Sequence, residues 1–330
     1  MLSHLCLVSV ICLQLILFGC GGSNSSSVGS TSGSSVSLTG AVTTIDGMQG
    51  SINAPFGITT DGTNLYVADY RNSVIKKVVI ATGAITTLGG VASNLVAPAG
   101  VTTDGTNLYI TDAGARSIMK MVIATGKVTR LTGYTAGFNF PYGIATDGTN
   151  LYVADTGNST IRKVVIASGE VSTLAGTAGV AGNNDGIGIG ASFSGPYGIT
   201  TDNTNLYVAD TGNNTIRKIV IATGVVTTLA GTTGTAGHTD GTGTAAGFSG
   251  PYGITTDGTN LYVADTGNST IRKVVIATGE VSTLAGTAGV VGNTDETGTA
   301  ASFSGLYGII LKGTSLFVTD TGNNTIRMIQ

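Results

Sequence analysis

The chain has 330 residues and a formal net charge of −3, from 15 Lys and Arg against 18 Asp and Glu. That balance argues against a nucleic-acid platform, which would show a basic face. Two histidines, His4 and His238, are too few for a catalytic zinc site, and the three cysteines all fall in the first twenty residues, so the rest of the chain has no disulfide framework.

Residues 2–19 hold an apolar run, Leu5 to Phe18, closed by Gly19-Cys20-Gly21-Gly22. The run is shorter than the ~20 apolar residues a stable span needs. It reads as a secretory signal, with an uncleaved anchor as the alternative. Residues 21–35, GGSNSSSVGSTSGSS, are uncharged and rich in Gly and Ser, which predicts a flexible tether.

Residues 36–330 are built from copies of one unit. The stretch from Pro251 to Gly286 recurs almost unchanged from Pro141 to Gly176, and related copies begin at Pro55, Pro98, Pro196 and Leu306. Each copy predicts four strands: Ile254–Thr256, Leu261–Ala264, Ile271–Ile276 and Val281–Leu284. Asp257-Gly258 predicts a two-residue hairpin between the first two. Leu261 and Val263 point one way, Tyr262 and Ala264 the other, and both sets are mostly apolar. Each sheet therefore needs a neighbour on both faces, which copies packed around an axis provide. The expected fold is all-β, a six-bladed β-propeller of four-stranded antiparallel blades. The last copy stops after its third strand, and Val36-Ser37-Leu38-Thr39-Gly40 resembles Val281 to Gly286, so the N-terminal strand is predicted to close the ring by completing the last blade. Long connectors, residues 177–195, 232–250 and 287–305, precede three blades, and short ones, 91–97 and 134–140, precede two. One side of the ring thus carries extra loop mass, and loops on a rigid scaffold are where binding usually resides.

Two resemblances follow from these residues. Leu17-Phe18-Gly19-Cys20 resembles the lipobox of bacterial lipoproteins, which implies a signal peptide over 1–19 and a lipidated Cys20 as the mature N-terminus. Neither Gly21 nor Gly22 resembles the acidic retention signal of some enteric bacteria, which implies the outer membrane. The repeat PYGI–TDGTNLYVADTGN–TIRKV–IATGEVSTLAG resembles the NHL repeat, six times over nearly all of residues 36–330. The pattern departs from it at Lys312, in place of the hairpin Asp, and at Ala113-Gly114-Ala115-Arg116. NHL propellers mostly act as binding platforms, and a few related propellers are lyases or lactonases.

Three constellations are candidates for a site. Phe56, Tyr142, Tyr197, Tyr252 and Tyr307, with Ala99 as the exception, precede each inner strand and are expected near the axis on the face bearing the long connectors. They either form a ligand mouth or pack between blades. Asp69, Asp112, Asp155, Asp210, Asp265 and Asp320 end the second strands and are expected to brace the turns, paired with Lys76, Lys120, Arg162, Arg217, Arg272 and Arg327. Asp185, Asp240, Asp295 and Glu296 lie in Gly-rich connectors whose spacing does not match a calcium loop, so Asx-type turns are expected rather than bound calcium. His238 is expected to be an exposed loop residue. No cofactor, metal or catalytic residue is expected. The reading is a monomeric, non-enzymatic envelope lipoprotein that binds a protein, peptide or glycan and meets the membrane through its lipid alone. The alternative is a carboxylate- or metal-dependent lactonase or lyase on the same propeller.

Overall fold

In the second strand of a repeat no side chain is free to face water, because alternating positions on both faces are apolar. The computed structural model, which describes residues 37–45, 50–89 and 94–330, satisfies this by stacking sheet on sheet. Leu261, Tyr262, Val263 and Ala264 are all fully buried. The signal segment, Cys20, the tether and Val36 lie outside the described residues.

Six antiparallel sheets stand around one axis. Blades I to VI begin at Pro55, Pro98, Pro141, Pro196, Pro251 and Leu306. Blade V shows the plan, with strands Pro251–Thr256, Asn260–Asp265, Thr270–Val275 and Glu280–Ala285, each hydrogen-bonded to the next. Apolar side chains gather in six clusters, one between each pair of blades. Between blades IV and V, for example, Ile216 and Phe248 pack against Leu261 and Val263. Burying a side chain of this size contributes about 1.5–3 kcal/mol, so stability is spread around the ring rather than held in one core.

An N-terminal strand completes blade VI, as expected, but a different stretch supplies it. The pairing strand is Val42–Thr44, with Val42 opposite Ile329 and Thr44 opposite Arg327. The proposed match at 36–40 is six residues too early. Thr39-Gly40-Ala41-Val42 takes the place of Thr278-Gly279-Glu280-Val281, and Gly40 keeps the left-handed φ of +79° that the turn before a fourth strand needs.

The long connectors run down the outer edges of the blades that follow them. Gly186-Ile187 pairs with Val225-Val226 as a fifth strand of blade IV, and Gly241-Thr242 does the same for blade V. In blade VI the Val42 amide donates to the Glu296 carbonyl at 2.9 Å. Part of the extra loop mass thus covers strand edges that would otherwise stay open.

The first hairpin also differs from expectation. Its loop is three residues, Asp257-Gly258-Thr259, because the Asp257 carboxylate accepts from the amides of Thr259 and Asn260 at 2.8 and 2.5 Å. Only the glycine takes a positive φ, +85°.

Candidate functional site

Six first strands meet at the axis, and a repeated irregularity decides what they present there. Pro141 faces Asp155 and Ile144 faces Val153, so Tyr142 and Gly143 together stand opposite Ala154. The same shift recurs in every blade. A bulge of this kind re-aims a side chain, and here it brings the residue after the proline to the axis. The next residue must be glycine for lack of space. A β-carbon on Gly143, Gly198 or Gly253 would overlap the carbonyl oxygen of Tyr197, Tyr252 or Tyr307 in the following blade. Gly308 meets the Phe56 carbonyl in the same way, and Gly57 that of Ala99, so neighbouring first strands approach main chain to main chain around the axis.

All five aromatic residues expected at this end come together. Ring centroids lie 4.3 Å apart for Phe56 and Tyr307, 4.7 Å for Tyr307 and Tyr252, 4.3 Å for Tyr252 and Tyr197, and 4.7 Å for Tyr197 and Tyr142. Their contacts run around the axis, and each ring keeps a solvent-exposed part. A sixth ring was missed from sequence. Tyr70, in the turn after the second strand of blade I, stacks on Phe56 at 4.7 Å with the planes 28° apart. It stands where blades III to VI have Thr156, Thr211, Thr266 and Thr321, whose hydroxyls donate to the next blade's first carbonyl. Blade II lacks its aromatic at Ala99, and Phe56 and Tyr142 approach only to 6.1 Å across that gap. Tyr70 supplies the missing ring beside it. Two departures from the repeat in successive blades, Thr to Tyr70 and Tyr to Ala99, were the available signal.

Burial pushes the hydroxyls of Tyr142, Tyr252 and Tyr307 well above the usual tyrosine value, and neighbouring tyrosines add to the shift. They stay protonated, so this end of the axis is an uncharged set of rings carrying hydrogen-bond donors. The rings and the axial glycines line a cavity of about 90 Å³. At the other end of the axis a cavity of about 160 Å³ is lined by threonines including Thr59, Thr102 and Thr255.

The Asp ring is structural in its contacts. Asp265 is fully buried and accepts from the Ser249 amide at 2.8 Å, the Asn268 side chain at 2.7 Å and Arg272 at 3.1 Å. Burial raises its carboxyl above the ordinary range, against the opposing pull of Asn268, Ser249 and Arg272. The expected partners hold in five blades, with ion pairs at 3.1 Å for Asp155 and Arg162, 2.8 Å for Asp210 and Arg217, 2.8 Å for Asp320 and Arg327, and 4.0 Å for Asp69 and Lys76. Blade II differs: Met119 occupies the position opposite Ile110, and Lys120 is one residue on, opposite Tyr109, so it faces the other side of the sheet. The connector carboxylates do not form the Asx turns expected of them. Asp185, Asp240 and Asp295 accept from Arg217, Arg272 and Arg327 at 2.7, 2.8 and 2.6 Å, and from Thr228, Thr283 and Thr44. Each arginine is thereby held between two carboxylates and over a phenylalanine ring, as Arg272 is over Phe248 at 5.2 Å. His238 is exposed on its connector. Among the described residues no three His, Cys, Asp or Glu side chains are grouped to hold a metal ion.

No family model matches the chain. Over 107 residues, 31% of its length, it is 41% identical to the human NHL repeat-containing protein 2. That match spans 15% of the human protein, so the chain covers only a small part of its curated relative. Among solved structures, a protein of unknown function from Bacteroides thetaiotaomicron superposes with a TM-score of 0.72 at 22% identity, over 88% of this chain and 75% of that one. An auxiliary nutrient binding protein from Bacteroides ovatus gives 0.67 at 17% identity, over 84% and 69%. The virginiamycin B lyase of Staphylococcus aureus gives 0.55 at 15%, over 88% and 98%.

Proposed function

We propose that this six-bladed β-propeller, whose repeats resemble the NHL repeat, is a non-enzymatic binding module of the cell envelope. It takes its protein, peptide or glycan partner on the aromatic end of the axis, and the lipid on Cys20 holds it to the membrane. The same fold serves a nutrient binding protein and a lyase, so the reading rests on the residues at the axis. One observation carries it: six partly exposed aromatic rings touch in sequence around the axis, and where one is missing from its own blade the neighbouring blade provides it through Tyr70. Inter-blade packing alone needs no such replacement, since Ala99 is already buried. The carboxylates nearest this end are committed to turns and arginines, which supports binding over catalysis.

The test is retention of envelope components and glycans by the full-length protein in detergent micelles. A Tyr142, Tyr197, Tyr252→Ala variant, shown by circular dichroism to be folded, is run beside it. Loss of aromatic anchors at the centre of an interface costs about 2 kcal/mol or more, roughly 30-fold in affinity. A folded variant that keeps the wild-type partner with equal affinity removes the aromatic end from the binding role.

A further inference from the structure

At the aromatic end, four blades are alike and two are not. The turn after the second strand runs from Thr156-Gly157-Asn158 in blade III to Thr321-Gly322-Asn323 in blade VI, and carries no charge. Blade I has Tyr70-Arg71-Asn72 at this place, and blade II has Ala113-Gly114-Ala115-Arg116. Arg71 thus replaces a glycine, and Arg116 replaces Ser159, Asn214, Ser269 or Asn324. Both arginines are exposed, and among the described residues neither joins an ion pair. Arg116 lies over the ring of Phe140, 5.1 Å from its centroid, and that ring is itself 45% exposed. Phe140 precedes Pro141-Tyr142, and Arg71 directly follows Tyr70. Arg71 is thus the chain neighbour of Tyr70 on the blade before the Ala99 gap, and Arg116 reaches Phe140, two residues before Tyr142 on the blade after it. Folding requires neither, because the same molecule builds this turn four times without them. The unrepeated side chains gather on the side of the ring with short connectors, away from the extra loop mass.

We propose that this sector is a subsite for an acidic sugar, a hexuronate unit of an anionic glycan. The inference rests on the binding role above and adds its charge. The carboxylate pairs with Arg71 and Arg116, whose planar donor sets match it. The apolar face of the pyranose lies against the rings by the gap, and its hydroxyls meet the protonated tyrosines. An acidic peptide is disfavoured, since an extended peptide is usually held by a free strand edge. Here neighbouring first strands meet through glycine–carbonyl contacts, and among the described residues the strand edges left unpaired in blades I to III are those of the fourth strands, at the opposite side of each sheet from the axis and its rings.

Full-length protein in detergent micelles is titrated calorimetrically with tetragalacturonate and with a neutral galactose tetrasaccharide. Arg71→Gly with Arg116→Asn takes both residues from other blades of the same chain, so the turns still form. Wild type is expected to prefer the acidic sugar by about tenfold, as charge-assisted hydrogen bonds allow, with the preference fading as salt rises. The double variant should bind the two sugars alike, and Tyr142→Ala should weaken both. Absence of acid preference in wild type, or its survival in the double variant, overturns the inference. If the double variant loses the preference while Tyr142→Ala changes neither affinity, the arginine subsite stands and the aromatic ring loses its role in binding.

Discussion

A single carboxylate organises the first hairpin of five blades. Asp61 accepts from the amides of Thr63 and Asn64, the Asn64 side chain and the Tyr66 hydroxyl, all at 2.7–2.9 Å. Burial alone would raise its pKa, but the hydrogen bonds from Asn64, Tyr66 and Thr63 bring it down from 3.8 to about 2, and Asp104 behaves alike. A folded value below the unfolded one gives stability that is fully present above pH 3.8 and is lost as pH falls through about 2. The melting temperature should therefore drop across that window, and Asp61→Asn with Asp104→Asn should flatten the drop. A wild-type melting temperature constant from 3.8 to 2 would contradict this. The buried Asp265 acts in the opposite sense, because its raised carboxyl favours the folded chain once protonated. Blade VI shows the same dependence in its composition. Lys312 stands in place of the Asp, and Phe317, without a hydroxyl, stands in place of the Tyr. The loss of Asp at Lys312 was plain in the sequence. Its coupling to Phe317 was not, because the two positions join only through a hydrogen bond that strand patterning does not register.

Within a blade, strand number and order were readable from turn residues and alternation, since both are local. The brace across the outer blades was less so. Arg272 is fully buried, donates to Asp265, Asp240 and the carbonyls of Gly247 and Thr239, and stacks on Phe248. Sequence identified the pair with Asp265, seven residues away, whereas Asp240 comes from the preceding connector, at a separation no periodicity marks. Arg272→Leu leaves two carboxylates facing an uncharged side chain. Breaking a buried pair from one side costs about 3–5 kcal/mol, and urea unfolding should show a loss of that size. Arg162→Leu should cost less, because Arg162 retains some exposure and has Asp155 as its carboxylate partner without a connector aspartate. Equal losses at the two sites would remove the connector carboxylates from the brace.

At the scale of the whole molecule the ring is closed without a covalent bond. Val42–Thr44 pairs with Thr325–Ile329, and the Ala41 and Gln330 backbones exchange hydrogen bonds at 3.1 and 2.9 Å. Removing residues 37–45 should lower the melting temperature sharply by opening blade VI, while removing 21–35 should leave it unchanged. If the two deletions behave alike, the closing strand is not what holds the last blade. That a strand from the N-terminal end would be needed was legible, because the last repeat is one strand short. Its register was not, because Val36 to Thr39 and Val42 to Ile45 both fit the pattern and the choice is made by Gly40 and by contact with the chain's far end.

That closure has a consequence for how the protein is made. A chain synthesised from its N-terminus onward holds Val42–Thr44 without a partner until Thr325–Ile329 has been made. Blades I to V can assemble in turn, each from neighbouring strands, but blade VI waits for two segments far apart in the sequence to meet. Its closure is therefore the step with the longest loop to order, and the strand edge it covers stays open until then.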